Sequence, residues 1–170
     1  MPGSNDSEFT ISRTFDAPRD LVFKAWTEAE RLERWWGPKG FKIQVGKLDL
    51  RSGGLFHYSM STPDGQQMWG KFVYREVAPT DKMVFVNSFS DENGGTVRAP
   101  FSTEWPLEVL STLNFVRHEH KTTLEMHAVP INASESENAT FAAMRDSLSQ
   151  GWNGTLDQLA DYLSDARNLA

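Results

Sequence analysis

The stretch SENATFAAMRDSLSQGWNGTLDQLADYLSDA, residues 136–166, decides the fold because apolar residues recur along it at three- and four-residue steps. The apolar stripe consists of Phe141, Met144, Leu148, Trp152, Leu156, Leu159 and Leu163. This period predicts one long amphipathic helix of about 45 Å, which is long enough to cross a whole sheet. Gly151 and Gly154 each cost about 1 kcal/mol in a helix interior, so we interpret them as marks of close approach or a slight bend.

The region that precedes this helix, residues 41–129, has the alternating apolar pattern and the turn residues of β-structure. Turn clusters divide it into strands near 41–50, 55–61, 67–77, 82–89, 107–118 and 122–129. Because short turns join consecutive strands, we expect these strands to be antiparallel.

The N-terminal part predicts one more strand and two short helices. Even spacing of Phe9, Ile11 and Phe15 indicates a half-buried strand from Glu8, with Arg13 interrupting the apolar series. Pro18 suits the first position of one helix, and the run Thr27-Glu28-Ala29-Glu30 is typical of a capping box that starts the next. Gly37-Pro38 predicts the end of that second helix.

This order of elements predicts an α+β domain with a curved antiparallel sheet of about seven strands. Two short helices follow the first strand, and the long C-terminal helix lies across the concave face. We expect one domain over residues 8–166, a disordered or extended tail over 1–7, and a C-terminal tail over 167–170. A helix in the hollow of a twisted sheet leaves unfilled space, so the architecture itself predicts a cavity.

Composition limits the function classes. The net charge of −6 is the wrong sign for neutralising phosphates, so we expect no nucleic-acid partner. The absence of cysteine excludes thiolate chemistry and fits a reducing compartment, and no apolar run reaches the length of a membrane span. The N-terminus lacks the pattern of a signal peptide, so a cytoplasmic, soluble protein is expected.

The aromatic content, with six Trp and eleven Phe, indicates that something large and apolar is lined or filled. Strand parity and the helical stripe together predict a ligand pocket. Its candidate residues are Trp36, Phe56, Tyr58, Met60, Met68, Phe72, Phe85, Phe115, Met126, Met144, Leu148 and Trp152.

Catalytic and metal-binding patterns are weak. His118 and His120 alternate beside a turn, yet no third ligand stands near them in sequence, so neither a metal nor another cofactor is expected. His57 and His127 have the opposite parity to the apolar residues of their strands, which predicts that they face solvent. There is no Gly-x-Ser-x-Gly motif, so nucleophilic catalysis has no support.

Several blocks resemble the helix-grip superfamily of lipid-transfer (START-like) and birch-pollen-allergen-like domains. The blocks are Phe15-Asp16-Ala17-Pro18 with Val22–Trp26, Leu32-Glu33-Arg34-Trp35-Trp36-Gly37-Pro38, Asp49-Leu50-Arg51-Ser52-Gly53-Gly54 and Gly151-Trp152-Asn153-Gly154-Thr155-Leu156-Asp157-Gln158-Leu159. The branch most similar is the one named after the activator of heat shock protein 90 ATPase. The resemblance implies the helix-grip fold and a pocket whose mouth lies near Trp35 and Trp36.

Three functions remain open. The first is a non-catalytic binder of an apolar small molecule such as a lipid, polyketide or aromatic compound. The second is a chaperone-associated domain, for which the basic cluster Arg31, Arg34, Lys39, Lys42 and Lys47 is a candidate docking face. The third is a cyclase or hydrolase, which needs an inward polar residue such as Tyr58, Asn87 or Glu125. Both a monomer and a homodimer are compatible with the sequence.

The segment Ser90–Pro106 is longer and more polar than an ordinary hairpin connection. Its Asp91–Gly95 tip holds two glycines, and Phe101 and Trp105 follow between prolines. We predict a mobile rim, hinged at the tip, that folds these two aromatic side chains toward the pocket mouth when a ligand or partner is bound.

Overall fold

A computed structural model describes residues 8–169 of the chain, with side chains described through Asp165. The elements are β1 (Phe9–Phe15), α1 (Arg19–Thr27), α2 (Ala29–Trp35), β2 (Lys42–Leu48), β3 (Leu55–Ser61), β4 (Gln67–Ala78), β5 (Lys82–Ser90), β6 (Val109–His118), β7 (Lys121–Pro130), α3 (Glu135–Ala143) and α4 (Arg145–Leu169). The predicted N-terminal tail, residues 1–7, lies outside the described residues.

The seven strands form one curved antiparallel sheet in the order β1-β7-β6-β5-β4-β3-β2. Each strand from β2 to β7 pairs with the strand next to it in sequence, including β5 and β6, which a long segment joins. The last strand, β7, also pairs with the first strand, β1, so that Phe9 lies opposite Ala128 and Phe15 opposite Thr122. The helices α1 and α2 carry the chain from β1 to β2, which stand at opposite edges of the sheet.

The two short helices form as predicted, but the capping box does not. The Thr27 hydroxyl donates to the carbonyl oxygen of Phe23 at 2.9 Å, so this residue completes α1 and leaves α2 without a side-chain cap. Trp26 and Trp35 pack edge to face with ring centroids 4.8 Å apart. The Trp35 indole also donates to the carbonyl oxygen of Ala25 at 2.9 Å, which fixes α2 against α1.

The C-terminal helix differs from the prediction in its start, its end and its continuity. It begins at Glu135 because Ser134 and Glu137 form a capping box, it ends at Leu169 rather than Ala166, and Met144 interrupts it. Met144 has φ −96° and ψ 15°, which separates α3 from α4. Neither Gly nor Pro stands beside Met144, so the sequence contains no marker for this break.

Polar contacts join α4 to the rest of the domain. Arg13, which interrupts the apolar series of β1, reaches α4 and donates to Asp157 Oδ1 at 2.7 Å and Asn153 Oδ1 at 3.0 Å. The Arg13 hydrogen bond lowers the pKa of Asp157 below its ordinary value. At the other side of the helix, Thr155 and Gln158 donate to the carbonyl oxygen of Gly37 at 3.1 and 2.7 Å. These bonds hold α4 across the concave face.

Candidate functional site

A cavity of about 460 Å³ lies between the concave face of the sheet, the helix α4 and the segment 100–106. It occupies one end of the hollow. The strand residues that line it come from the start of β1, β4 and β6 and from the end of β3, β5 and β7. Because the strands are antiparallel, these starts and ends meet at the same end of the sheet.

The structure brings seven of the twelve predicted pocket residues to this cavity. They are Trp36, Tyr58, Met60, Met68, Met144, Leu148 and Trp152. Met144 is the residue at the break between α3 and α4, and Leu148 and Trp152 follow it at steps of four. Trp152 is only partly buried, and its ring centroid lies 5.5 Å from that of Trp36.

The other five predicted residues, Phe56, Phe72, Phe85, Phe115 and Met126, are buried but do not line the cavity. Their side chains face the concave side of the sheet, as the alternation predicts. They lie farther along the strands than the cavity does, where aromatic side chains fill the space between the sheet and the helices. Phe72 stacks on Phe85 at 3.8 Å between ring centroids, and Phe115 packs against Phe23 of α1 at 5.2 Å. Alternation along a strand predicts which face of the sheet a side chain is on, but not which part of that face the helices cover.

Other residues that line the cavity are not predicted from the sequence. Several are apolar side chains near the ends of elements or in loops: Phe9, Phe41, Phe89, Val109 and Phe141. Another group is small: Ser111 and Ala128 on the sheet, and Ser147, Gly151 and Thr155 at steps of four on α4. A row of small residues beside an apolar helical stripe is the signal that indicates unfilled space here, because such residues cannot span the gap between helix and sheet.

The glycines of α4 do not mark close approach. A Cβ atom added at Gly151 would have no heavy atom within 4 Å, and one added at Gly154 would meet only the flexible end of Lys39, at 3.9 Å. Gly151 lines the cavity and is exposed, whereas Gly154 is not part of the lining. Gly151 therefore lies at the cavity mouth.

Trp36 forms the partition between the filled half and the cavity. Its ring packs edge to face against Phe72 at 5.3 Å and against Tyr58 at 5.9 Å. The Tyr58 ring lies over Gly70 of the neighbouring strand, where an added Cβ would come within 2.5 Å of the tyrosine oxygen. A glycine at position 70 therefore provides the space that Tyr58 occupies.

Burial raises the pKa of Tyr58 to about 12, so its hydroxyl keeps its proton at neutral pH. A weak interaction with the indole N–H of Trp36 lowers the Tyr58 pKa slightly and so opposes this shift. The distance and angle do not make a full hydrogen bond, so Trp36 Nε1 is a buried donor without a well-formed bond. Two neutral hydrogen-bonding groups therefore stand together at the partition.

The aromatic side chains of the rim segment face the cavity. Phe101 and Trp105 both line it, and their ring centroids are 5.5 Å apart. Trp105 is buried against Phe141 of α3 at 5.3 Å, whereas 53% of Phe101 is exposed. The rim is also joined to α3 by an ion pair between Arg98 and Glu137.

The tip of the rim segment differs from the free hinge that its two glycines predict. The Asp91 carboxylate accepts hydrogen bonds from the backbone N–H groups of Asn93 and Gly95 at 2.9 and 2.8 Å. His57 and the ammonium group of Lys71 bond backbone oxygens of the tip at 3.1 and 2.9 Å. The tip is a bonded turn on the outer side of the sheet, and the part of the segment at the mouth is 100–106.

Of the other polar candidates, Asn87 lines the cavity, whereas the histidines and Glu125 do not. His118 and His120 are exposed at the turn between β6 and β7, and no group of three ligand side chains suited to a metal occurs within residues 8–169. His127 is exposed on β7, and so is Glu125, which therefore faces away from the cavity. No helix in the described part of the chain has the length and apolar character needed to span a bilayer.

The curved sheet, the gripping helix and the apolar cavity between them define a helix-grip domain, as the sequence blocks predict. Residues 16–164 match the family model described as activator of Hsp90 ATPase homolog 1-like protein. The chain belongs to that family. No curated protein matches the chain at a significant level.

Solved structures share the same fold. A protein from Arthrobacter aurescens is 24% identical with a TM-score of 0.79, covering 97% of this chain and 90% of its own. A protein from Nitrosomonas europaea is 20% identical with a TM-score of 0.76, covering 98% and 99%. DynU16, a protein of the dynemicin biosynthetic locus, is 21% identical with a TM-score of 0.62, and the match covers 93% of this chain and 47% of DynU16.

Proposed function

We propose that the chain is a non-catalytic domain that binds a small apolar ligand in its internal cavity. The observation that carries this proposal is the cavity itself, with about 460 Å³ of space walled mainly by aromatic rings and methionine side chains. This volume lies within the usual range for small-molecule sites, which are largely apolar with a few polar groups. A lipid, polyketide or aromatic compound fits this description.

A route of entry supports the proposal. The cavity opens between α4, near Ser147 and Gly151, and the rim, where Phe101 is more than half exposed. An exposed phenylalanine at a mouth offers an apolar surface to an entering ligand, whereas a filled core would have no such opening.

The two glycines of α4 provide a matched test. Gly151→Leu places a side chain in the open space of the mouth, and Gly154→Leu places the same side chain outside the lining. We expect a panel of apolar compounds to raise the melting temperature of the wild-type protein, since a ligand at 100 times its Kd stabilises by about 2.7 kcal/mol. Gly151→Leu should weaken binding by about tenfold or more, equivalent to about 1.4 kcal/mol. Gly154→Leu should leave binding unchanged.

Two outcomes would count against the proposal. One is a broad panel that changes neither the melting temperature nor the tryptophan fluorescence of the wild-type protein. The other is equal weakening of binding by both leucine variants, which would indicate a general effect on α4 instead of a blocked mouth.

The family description is compatible with one alternative, a chaperone-associated domain that acts on a heat shock protein 90 ATPase. The basic cluster gives it limited support, because Arg31 pairs with Glu28 and Lys39 lies 3.7 Å from Asp157. Measuring the ATPase turnover of such a chaperone with and without this protein distinguishes the two functions. A stimulated turnover that Gly151→Leu does not alter would favour the chaperone role.

A further inference from the structure

The wall of the cavity carries no formal charge. Among the described residues that line it there is no Asp, Glu, Lys, Arg or His side chain. A carboxylate moved from water into an apolar cavity without a cationic partner loses its hydration, and neutral donors replace that hydration only in part. The interior of the cavity is therefore unsuited to the carboxylate group of an organic acid.

The polar groups of the wall are neutral, and one of them is unsatisfied. Trp36 is 7% exposed, and its Nε1–H is closed to solvent, makes no well-formed hydrogen bond and interacts only weakly with the Tyr58 hydroxyl. The hydroxyl of Tyr58 stands on the same wall and is protonated at neutral pH, as the ordinary tyrosine pKa of about 10 already ensures, and burial raises that pKa further. An unpaired buried donor costs free energy, and a ligand oxygen that accepts from it removes that cost.

The rings beside these donors favour a flat partner. Trp36 lies 5.5 Å from Trp152 and 5.9 Å from Tyr58 between ring centroids, so several aromatic faces and edges meet at one corner of the cavity. Aromatic rings pack well against each other in stacked and edge-to-face arrangements.

We propose, on the basis of the binding function above, that the cavity selects neutral ring compounds with a hydrogen-bond-accepting oxygen, such as polycyclic carbonyl compounds. Trp36 and Tyr58 are the residues that determine this selectivity. The Tyr58 hydroxyl donates to the ligand oxygen, and a shift of the Trp36 side chain on binding brings Nε1–H, which is closed to the open space of the cavity in the unbound protein, to the same oxygen. Acidic ligands of the same size, whose carboxylate would have to enter the cavity, bind more weakly.

Three probes with the same ring skeleton test this selectivity: fluorene, 9-fluorenone and 9-fluorenone-2-carboxylate. The first lacks the acceptor, the second is neutral and has it, and the third is an anion at pH 7. We expect 9-fluorenone to bind the wild-type protein about three- to tenfold more tightly than fluorene, the gain of one hydrogen bond. The carboxylate should bind at least about tenfold more weakly than 9-fluorenone.

Two buried tyrosines supply a matched pair of variants. Tyr58→Phe removes the hydroxyl at the cavity, and Tyr74→Phe removes a buried, unpaired hydroxyl that does not line it. Only Tyr58→Phe should weaken 9-fluorenone binding, by about threefold or more, while fluorene binding stays within about twofold in both variants. In nitrogen–proton spectra of the wild-type protein, 9-fluorenone should move the Trp36 indole proton downfield and leave that of Trp26 in place.

The outcomes separate this inference from the function on which it rests. If fluorene and 9-fluorenone bind equally and the Trp36 indole signal does not move, the selectivity is wrong while the binding function stands. If the carboxylate binds as tightly as 9-fluorenone, the selectivity is also wrong. If none of the three binds and the wider apolar panel also fails, the binding function itself is overturned.

Discussion

At the scale of single residues, the cavity depends on a pair that spans two strands. Tyr58 of β3 pairs with Gly70 of β4, and the tyrosine ring covers the glycine. Glycine in a strand interior usually marks a bulge or a place where other atoms approach closely. Here the approaching group is a neighbouring side chain, so the identity of residue 70 decides where the Tyr58 hydroxyl stands.

Gly70→Ala should destabilise the domain by about 1 to 3 kcal/mol, the usual cost of overpacking a filled site. The added Cβ would lie 2.5 Å from the tyrosine oxygen and 2.6 Å from Cζ, so the ring must move. Tyr58→Leu in the same chain should recover most of this loss, since the clashing atoms are then absent. Denaturant unfolding of both single variants and the double variant measures the coupling. Strictly additive losses would show that the two side chains do not interact.

The sequence predicts single residues unevenly. Inward parity is right for Tyr58 and Met60, and also for Phe72 and Phe85, yet only the first two reach the cavity. What separates them is the position of α1, α2 and Trp36 over the sheet, which is a tertiary property with no local signal. The short turn after residue 61 places Tyr58 opposite Gly70, but nothing in the sequence shows that the tyrosine ring covers the glycine.

At the scale of elements, the rim and α3 act together through one ion pair. Arg98 donates to Glu137, which also accepts from the backbone N–H of Ser134 at 2.8 Å. The Arg98 hydrogen bond is the larger of these influences, and it lowers the pKa of Glu137 below its ordinary value. The same carboxylate thus caps α3 and retains the rim segment at the cavity mouth.

The attachment of the rim should therefore weaken in acid. A carboxyl group whose pKa is lowered by folding stabilises the folded state above its unfolded pKa, and that contribution disappears as the pH falls through the folded pKa. Arg98→Met should raise the titration midpoint of Glu137 toward its ordinary value, as followed by carbon NMR of the carboxyl group. Arg75→Met is the control, because Arg75 makes no ion pair within residues 8–169. An unchanged midpoint in Arg98→Met would contradict this account of the rim.

Elements are where sequence patterns succeed best. Alternation and turn residues locate six strands to within a few residues, because each pattern is local and repeated several times along the strand. The failures have physical causes as well. Thr27 bonds back to Phe23 rather than capping α2, and a bonded turn forms at Asp91 where glycines indicate freedom.

At the scale of the whole molecule, the sheet, α4 and the rim enclose a hollow that is filled at one end and open at the other. The aromatic cluster around Trp26, Trp35 and Trp36 fills the end covered by α1 and α2. Small residues on both walls leave the opposite end empty. The order of elements predicts such a hollow, but only the assembled side chains show how it is divided.

Methionine side chains lie both in the cavity and in the filled part of the hollow. Their NMR signals therefore test the central claim that a ligand binds at the open end. Met60, Met68 and Met144 line the cavity, whereas Met83 and Met126 are buried in the filled part and do not line it. With carbon-13 in the methionine methyl groups, titration with fluorene and 9-fluorenone should shift the signals of the first three and leave those of Met83 and Met126 unchanged. Signals that all remain in place up to the solubility limit, or that shift equally in both groups, would contradict the claim.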